Sequence, residues 1–350
     1  MESKNFVKAG ILTLILVIIS IGSWEFYLRN KGITIAYDDG KELWSDKRAK
    51  VYAPSDEATV FIGSSRNKYD LDTDTWRSLT GEEPIQLAFE GASPLPILDD
   101  LANDQKFKGK LMIDVTEGLF FSLFSPLGAR VTDGIKYFKD RTPAQNFSFK
   151  VNHILESQLV FLDKDYLSLN ALLSKVVPPR PGVYPDPDFP MEFGRITFDR
   201  QDKMTDRFVA DTNLQNKVKG IWGSFAKLAS TIPPPTPAQI DSIFTTVKND
   251  INKIKARGGQ IIFVRTPSSG PYLMGEKMVF PREKYWDKLL ALTNCPGIHF
   301  EDYPAIAHFQ CPEFSHLSPS DAIVFTKNLI KILEEEKGWR FPNKQLTAIN

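Results

Sequence analysis

Hydrophobic residues in this chain recur in three patterns, and each predicts a different element. The first is an uncharged run over residues 9–24, dominated by Ile and Leu, that stays apolar to Leu28 apart from Glu25. It approaches the ~20 residues a helix needs to cross a bilayer. Trp24 and Tyr27 suit an interfacial belt, with Lys4 and Lys8 before the run and Arg29 and Lys31 after it, so the charge bias across it is slight. The pattern predicts an uncleaved single-pass anchor over residues 1–30 in the cytoplasmic membrane, with residues 31–350 forming one domain on the periplasmic or cell-surface side. A cleaved signal peptide is the alternative, although no Ala-x-Ala site follows the run.

The second pattern is a set of short, β-branched, almost wholly apolar runs near 58–63, 84–89, 110–116, 259–265 and 297–301. Such runs suit parallel strands buried on both faces. The third is apolar spacing at helical period. Thr236-Pro237-Ala238-Gln239 reads as a capping box, followed by Ile240, Ile243, Phe244, Val247, Ile251 and Ile254, and Gly258-Gly259 closes the helix. Ser318-Pro319-Ser320-Asp321 opens another, with Ala322, Phe325, Leu329, Ile332 and Leu333 on one face. Strands alternating with helices predict an α/β fold, a three-layer α/β/α sandwich with a mainly parallel sheet. No internal repeat is apparent.

The stretch at about 117–235 is far too long for a βα loop and reads as an insertion over the sheet edge that shapes specificity. It holds the aromatics Phe120, Phe121 and Phe124, a helix expected around 152–176, and a proline-rich run over 178–190 that reads as a stiff connector. Trp222 and Phe225 read as core residues.

Composition narrows the functional classes. With 43 basic and 43 acidic residues the net charge is zero, which removes the electrostatic case for nucleic acid. Cys295 and Cys311 are the only cysteines, too few for a cysteine metal site, and no cofactor motif is present. Sixteen positions apart in a segment expected outside the cytoplasm, they either form a disulfide bracing the loop before His316 or remain two buried thiols.

Three motifs carry chemistry. Phe61-Ile62-Gly63-Ser64-Ser65-Arg66 puts serines on a corner after the first strand. Phe89-Glu90-Gly91-Ala92-Ser93 ends the second strand, and Glu313-Phe314-Ser315-His316 precedes the last helix. A serine nucleophile needs a base, and the base needs a third group to orient it. Ser65, His316 and Glu313 fit these roles, with Ser64 as the alternative nucleophile. Arg66 is either a substrate-binding guanidinium or an exposed loop arginine. Arg265, at the end of its strand, is either a substrate clamp or the ion-pair partner of Glu117. His153, His299 and His308 read as packing or surface residues.

In order and spacing these motifs resemble the SGNH (GDSL-like) hydrolase superfamily, over most of residues 55–335. Gly63-Ser64-Ser65 stands for the family's Gly-Asp-Ser, and Glu313-x-x-His316 for its Asp-x-x-His. Gly91 matches the glycine whose amide binds the oxyanion. Ser64 replaces the motif aspartate, and the third motif's asparagine has no match. After the third strand the chain reads Thr116-Glu117-Gly118, which leaves Thr116 as the candidate third oxyanion donor beside the amides of Ser65 and Gly91. The resemblance implies a flavodoxin-like sheet and an acyl-serine intermediate. The chemistry expected is acyl transfer or ester hydrolysis, with an acylated donor and a glycan acceptor. The tether resembles members that acylate cell-surface polymers beside a polytopic membrane-bound O-acyltransferase. An inactive scaffold of this fold, or a polysaccharide-binding assembly protein, is the alternative.

Overall fold

The computed structural model describes residues 2–122, 127–176 and 187–342. The chain divides into two compact units: Met1–Asp38 with Pro143–Asp186, and Asp39–Thr142 with Pro187–Asn350. The insertion expected over 117–235 is therefore not one body. Its middle part groups with the N-terminal helix, and its last part belongs with the sheet.

The larger unit is α/β. Its five strands are β1 (Ala58–Ile62), β2 (Glu83–Gln86), β3 (Lys110–Asp114), β6 (Gln260–Arg265) and β7 (Gly297–His299). All are parallel, in the order β2-β1-β3-β6-β7. Two short strands, β4 (Arg195–Ile196) and β5 (Asp202–Lys203), form a separate antiparallel pair. Every residue of β1 and β3 is buried, because helices cover both faces of the sheet.

Strand residues alternate between two cores. Val60, Ile62, Leu111, Ile113, Ile261 and Phe263 face one, with Trp44, Leu98, Val247 and Ile251 from its helices. Phe61, Met112, Ile262, Val264 and Ile298 face the other, against Trp76, Phe325, Leu329 and Leu333. The helix Pro237–Ala256 opens with the capping box of Thr236 and Gln239. Pro319–Glu335 opens with Ser318 accepting from the Asp321 amide. Both caps are the ones their sequences predict.

Cys295 belongs to the first core and Cys311 to the second, so the sheet stands between them and both are free. This corrects the disulfide expectation. A sixteen-residue spacing carries no information about which face of the sheet each end reaches. Burial pushes both thiols above their usual range.

The smaller unit contains the helix Glu2–Asn30, whose stretch Asn5–Asn30 is long and apolar enough to cross a membrane. The single helix expected around 152–176 is instead broken: α-helix over Pro143–Glu156, a 3-10 turn at Val160–Leu162, and a short helix at Leu169–Ser174. Phe124 and most of the proline-rich run lie outside the described residues.

Candidate active site

Parallel registers bring the ends of three strands to one edge. Ile62 of β1 pairs with Ile113, and Asp114 of β3 pairs with Val264 of β6. The chain leaves β1 for β2 on one side and returns through β3 on the other. The corner after β1 thus opens at the switch point where open α/β sheets take ligands. Gly63 permits that corner: a Cβ there would lie 2.6 Å from the Asp114 Cβ and 3.0 Å from the Asn67 Cβ. Ser64 stays extended, and Ser65 begins the helix Ser65–Asp70.

Ser65 Oγ lies 2.8 Å from His316 Nε2. His316 Nδ1 lies 2.9 Å from Glu313 Oε1. A carboxylate can only accept, so Nδ1 carries the proton, and Nε2 is left to accept from the Ser65 hydroxyl. Glu313 Oε1 also receives the His316 amide at 2.6 Å and the Ser315 amide at 3.3 Å. Glu313 Oε2 receives Trp222 Nε1–H. Glu313 and His316 are fully enclosed, while Ser65 keeps partial solvent access. The loop reaches this geometry through Phe314 at φ +80°, an uncommon conformation for a side-chain-bearing residue. Its carbonyl is pinned by the Ser269 amide at 2.9 Å.

Ser64 points elsewhere. Its Oγ lies 2.7 Å from Thr116 Oγ1, and Thr116 donates to Asp114 Oδ2 at 3.0 Å. Ser65 is therefore the serine brought to the histidine. The Thr116 hydroxyl is thus engaged within the corner, with Ser64 and Asp114. The amides of Ser65, on the first residue of its helix, and of Gly91, at φ +58°, remain the candidates.

Arg66 and Arg265 do not stand open as substrate clamps. Both are buried and share Glu276: Arg66 takes Oε1 while Arg265 Nη2 and Ser268 take Oε2. Arg265 Nε adds Glu117 Oε1 at 3.1 Å, the ion-pair alternative for this residue. Burial pushes the Glu276 carboxyl up, but Arg265 and Arg66 outweigh it and hold it at about 2. The cluster braces the site from below, with Arg66 Nε reaching Ser315 Oγ at 3.3 Å.

Several residues of the site were not legible as such in the sequence. Trp222 is one, ninety-one positions from Glu313. It belongs to a small core of Tyr69, Phe193, Met204, Phe208 and Val218 with Phe189 and Leu214. Tyr69, Phe193 and Trp222 ring the imidazole at 4.5, 5.7 and 5.9 Å between centroids. Asp70 is another: its Oδ1 accepts the Leu317 amide at 2.9 Å, and burial raises its carboxyl to about 7 despite the nearby His316 and Arg66. Lys68, one turn after the serine, is buried with Asp39, Glu90 and Asp202. Arg200, itself at φ +64°, grips the same Asp39. Burial raises the Asp39 carboxyl, but Arg200 and Lys68 together bring it below its ordinary range. This network ties the serine helix to segment 200–202 and to Glu90, which adjoins Gly91.

Of the other histidines, His299 is buried at the end of β7 against Trp286, and burial lowers it to about 3. His308 is exposed beside Phe309, and His153 packs near Tyr37 in the smaller unit. No protein-family model matches the chain, and no curated protein matches it at significant similarity.

Proposed function

We propose that the chain is a serine-dependent acyl-transfer enzyme of the SGNH (GDSL-like) hydrolase type, acting on a glycan outside the cytoplasmic membrane. The observation that carries this reading is the unbroken hydrogen-bond line Ser65–His316–Glu313 at the carboxyl end of a central parallel strand. Its flavodoxin-like strand order is consistent with that superfamily.

In the reaction, His316 Nε2 takes the Ser65 proton as Oγ bonds to the carbonyl carbon of an ester or thioester. The carbonyl electron pair moves onto oxygen, where the Ser65 and Gly91 amides receive it. Glu313 stabilises the imidazolium and keeps its orientation. Collapse breaks the bond to the leaving alkoxide or thiolate, which takes the proton from His316 and leaves acyl-Ser65. A sugar hydroxyl or water then gives its proton to His316 and attacks the acyl carbon. The second collapse returns the proton to Ser65. Transfer follows from the sugar, hydrolysis from water.

The N-terminal helix, long and apolar enough to span a membrane, supports a membrane anchor, and the reading puts the catalytic domain on its extracytoplasmic side. A charged acyl carrier does not cross hydrocarbon cheaply, and the one candidate span among the described residues forms no conduit, so a polytopic membrane-bound O-acyltransferase is the expected partner.

Incubating the full chain with a fluorophosphonate tests the chemistry. One adduct on Ser65 is expected by intact mass. Ser65→Ala and His316→Ala should each slow acyl turnover by roughly 10³-fold or more, with the double variant little worse because the residues act as a unit. Ser64→Ala should retain labelling. An adduct that persists in Ser65→Ala and disappears in Ser64→Ala would overturn the assignment. The engaged Thr116 hydroxyl and the missing family asparagine favour one second reading, a scaffold or polysaccharide-binding protein of the same fold. That reading expects no adduct, and glycan binding indifferent to Ser65→Ala.

A further inference from the structure

The helix Pro143–Glu156 leaves an apolar stripe exposed and has Glu156 as its one buried residue. Its inward side carries polar groups: Glu156 is buried and accepts from the half-buried Asn152 Nδ2 at 2.7 Å, and His153, also half-buried, packs against Tyr37 and Phe149. Four of its five large apolar residues turn outward, with Phe147 70 % exposed, Ile154 62 %, Leu155 46 % and Val151 44 %. These four lie at the i, i+4, i+7, i+8 spacing of one helical stripe. Leu173 and Val176, at the far end of the same segment, are exposed as well. Water disfavours such a face, and a contiguous one marks a docking surface.

What covers it follows from where the segment is tied. Glu25 is the only acid of the N-terminal helix after Glu2, and its carboxylate caps the turn at 160–161. Oε1 accepts the Val160 amide at 3.1 Å and Oε2 the Phe161 amide at 3.2 Å. Arg29, paired with Glu25 at 2.6 Å, donates to the Gln158 carbonyl at 2.7 Å. Helix rise puts about 30 Å between residues 5 and 25, the thickness of a hydrocarbon core, so Glu25 falls at its boundary. Trp24 and Tyr27 stack beside it at 5.5 Å, as an interfacial belt does. The turn held by Glu25 lies at that same depth, and the exposed Lys150 and Lys175 suit anionic headgroups.

We propose that segment 143–176 is a second membrane-binding element, lying in the lipid–water interface beside the span with Phe147, Val151, Ile154 and Leu155 among the acyl chains. The span fixes the chain to the bilayer, and segment 143–176 restricts how the base of that span tilts and rotates. This inference rests on the membrane-anchor reading and is independent of the serine chemistry.

The test uses the full chain alone in phosphatidylcholine–phosphatidylglycerol liposomes, with a nitroxide on Phe147→Cys, Ile154→Cys, Ile19→Cys in the span, or Lys331→Cys on the exposed face of the last helix. Cys295 and Cys311 are buried, and the unsubstituted chain gives the labelling background. The ratio of oxygen to nickel-chelate collision rates should be several-fold higher at 147 and 154 than at 331, and close to that at 19. A label at Leu155→Cys gives a further reading if one substitution disturbs the helix. Water-like ratios at 147, 154 and 155 beside a lipid-like ratio at 19 would overturn the proposal and leave a protein partner as the occupant. Low collision rates with both reagents, together with dipolar broadening, would overturn it in favour of a second copy of this chain. A water-like ratio at 19 would remove the span itself.

Discussion

Trp222→Phe isolates one hydrogen bond at the candidate triad. The substitution keeps an aromatic ring against Phe189, Phe193 and His316 but removes the N–H that Glu313 Oε2 accepts. Glu313 is completely buried, so no water replaces the lost donor, while Oε1 keeps its contacts to the His316 ring and the two loop amides. Leaving a buried acceptor unpaired costs about 1–3 kcal/mol. If that cost falls on the arrangement that orients His316, at 1.36 kcal/mol per decade the acylation rate drops roughly 5- to 160-fold. Stopped-flow acylation with a chromogenic ester reads the loss, and thermal unfolding checks that the fold is intact. Trp222→Gln, which restores an N–H without the ring, should recover part of the rate. A Trp222→Phe rate within twofold of the parent would refute the reasoning.

Further outcomes follow from burial. Thiol titration of the unfolded, unreduced chain should find two thiols, whereas the folded chain should react slowly, since both cysteines are enclosed on opposite sides of the sheet; fewer than two would restore the disulfide. The Asp70 carboxyl is raised to about 7 in the fold from an ordinary value near 3.8, so its contribution is fully present below pH ~4 and is lost as pH rises through 7. Asp70→Asn should therefore gain on the parent in denaturant stability between pH 4 and 8, by on the order of 4 kcal/mol, and parallel curves would contradict this. Gly63→Ala should cost about 1–3 kcal/mol, because the new methyl meets the Asp114 Cβ at 2.6 Å in a packed corner; an unchanged denaturation midpoint would count against the packing.

The larger fold was legible because strand burial and helix capping are local signals. The runs at 58–62 and 110–114 are apolar at consecutive positions since both faces of the sheet are covered, and that leaves a direct imprint on sequence. Thr236 with Gln239, and Ser318 with Asp321, cap their helices within four residues, so short windows contain the whole interaction. Ser65, His316 and Glu313 stood out for a similar reason. Each sits beside a strand end or helix start that its neighbours announce.

Long-range geometry decided the rest. Arg66 and Arg265 look alike in sequence as charged residues at the sheet edge, yet Glu276 and Glu117 neutralise both, and a buried charge without such partners would be prohibitively costly. Ser64 and Ser65 are adjacent and chemically identical. Only the turn at Gly63 sends one hydroxyl to Thr116 and the other to His316. Trp222 and Phe225 read as core, yet Phe225 is exposed and Trp222 is half-buried at a core's edge, where its indole nitrogen meets Glu313, a contact set by how segment 187–222 folds. The cysteines read as near neighbours because chain distance was short, and a sheet lies between them. Hydrophobic pattern thus determined which elements exist and roughly where the chemistry gathers. Partner choice among buried polar atoms was fixed only in three dimensions, because a hydrogen bond depends on ångström-scale placement that residue type and spacing do not encode.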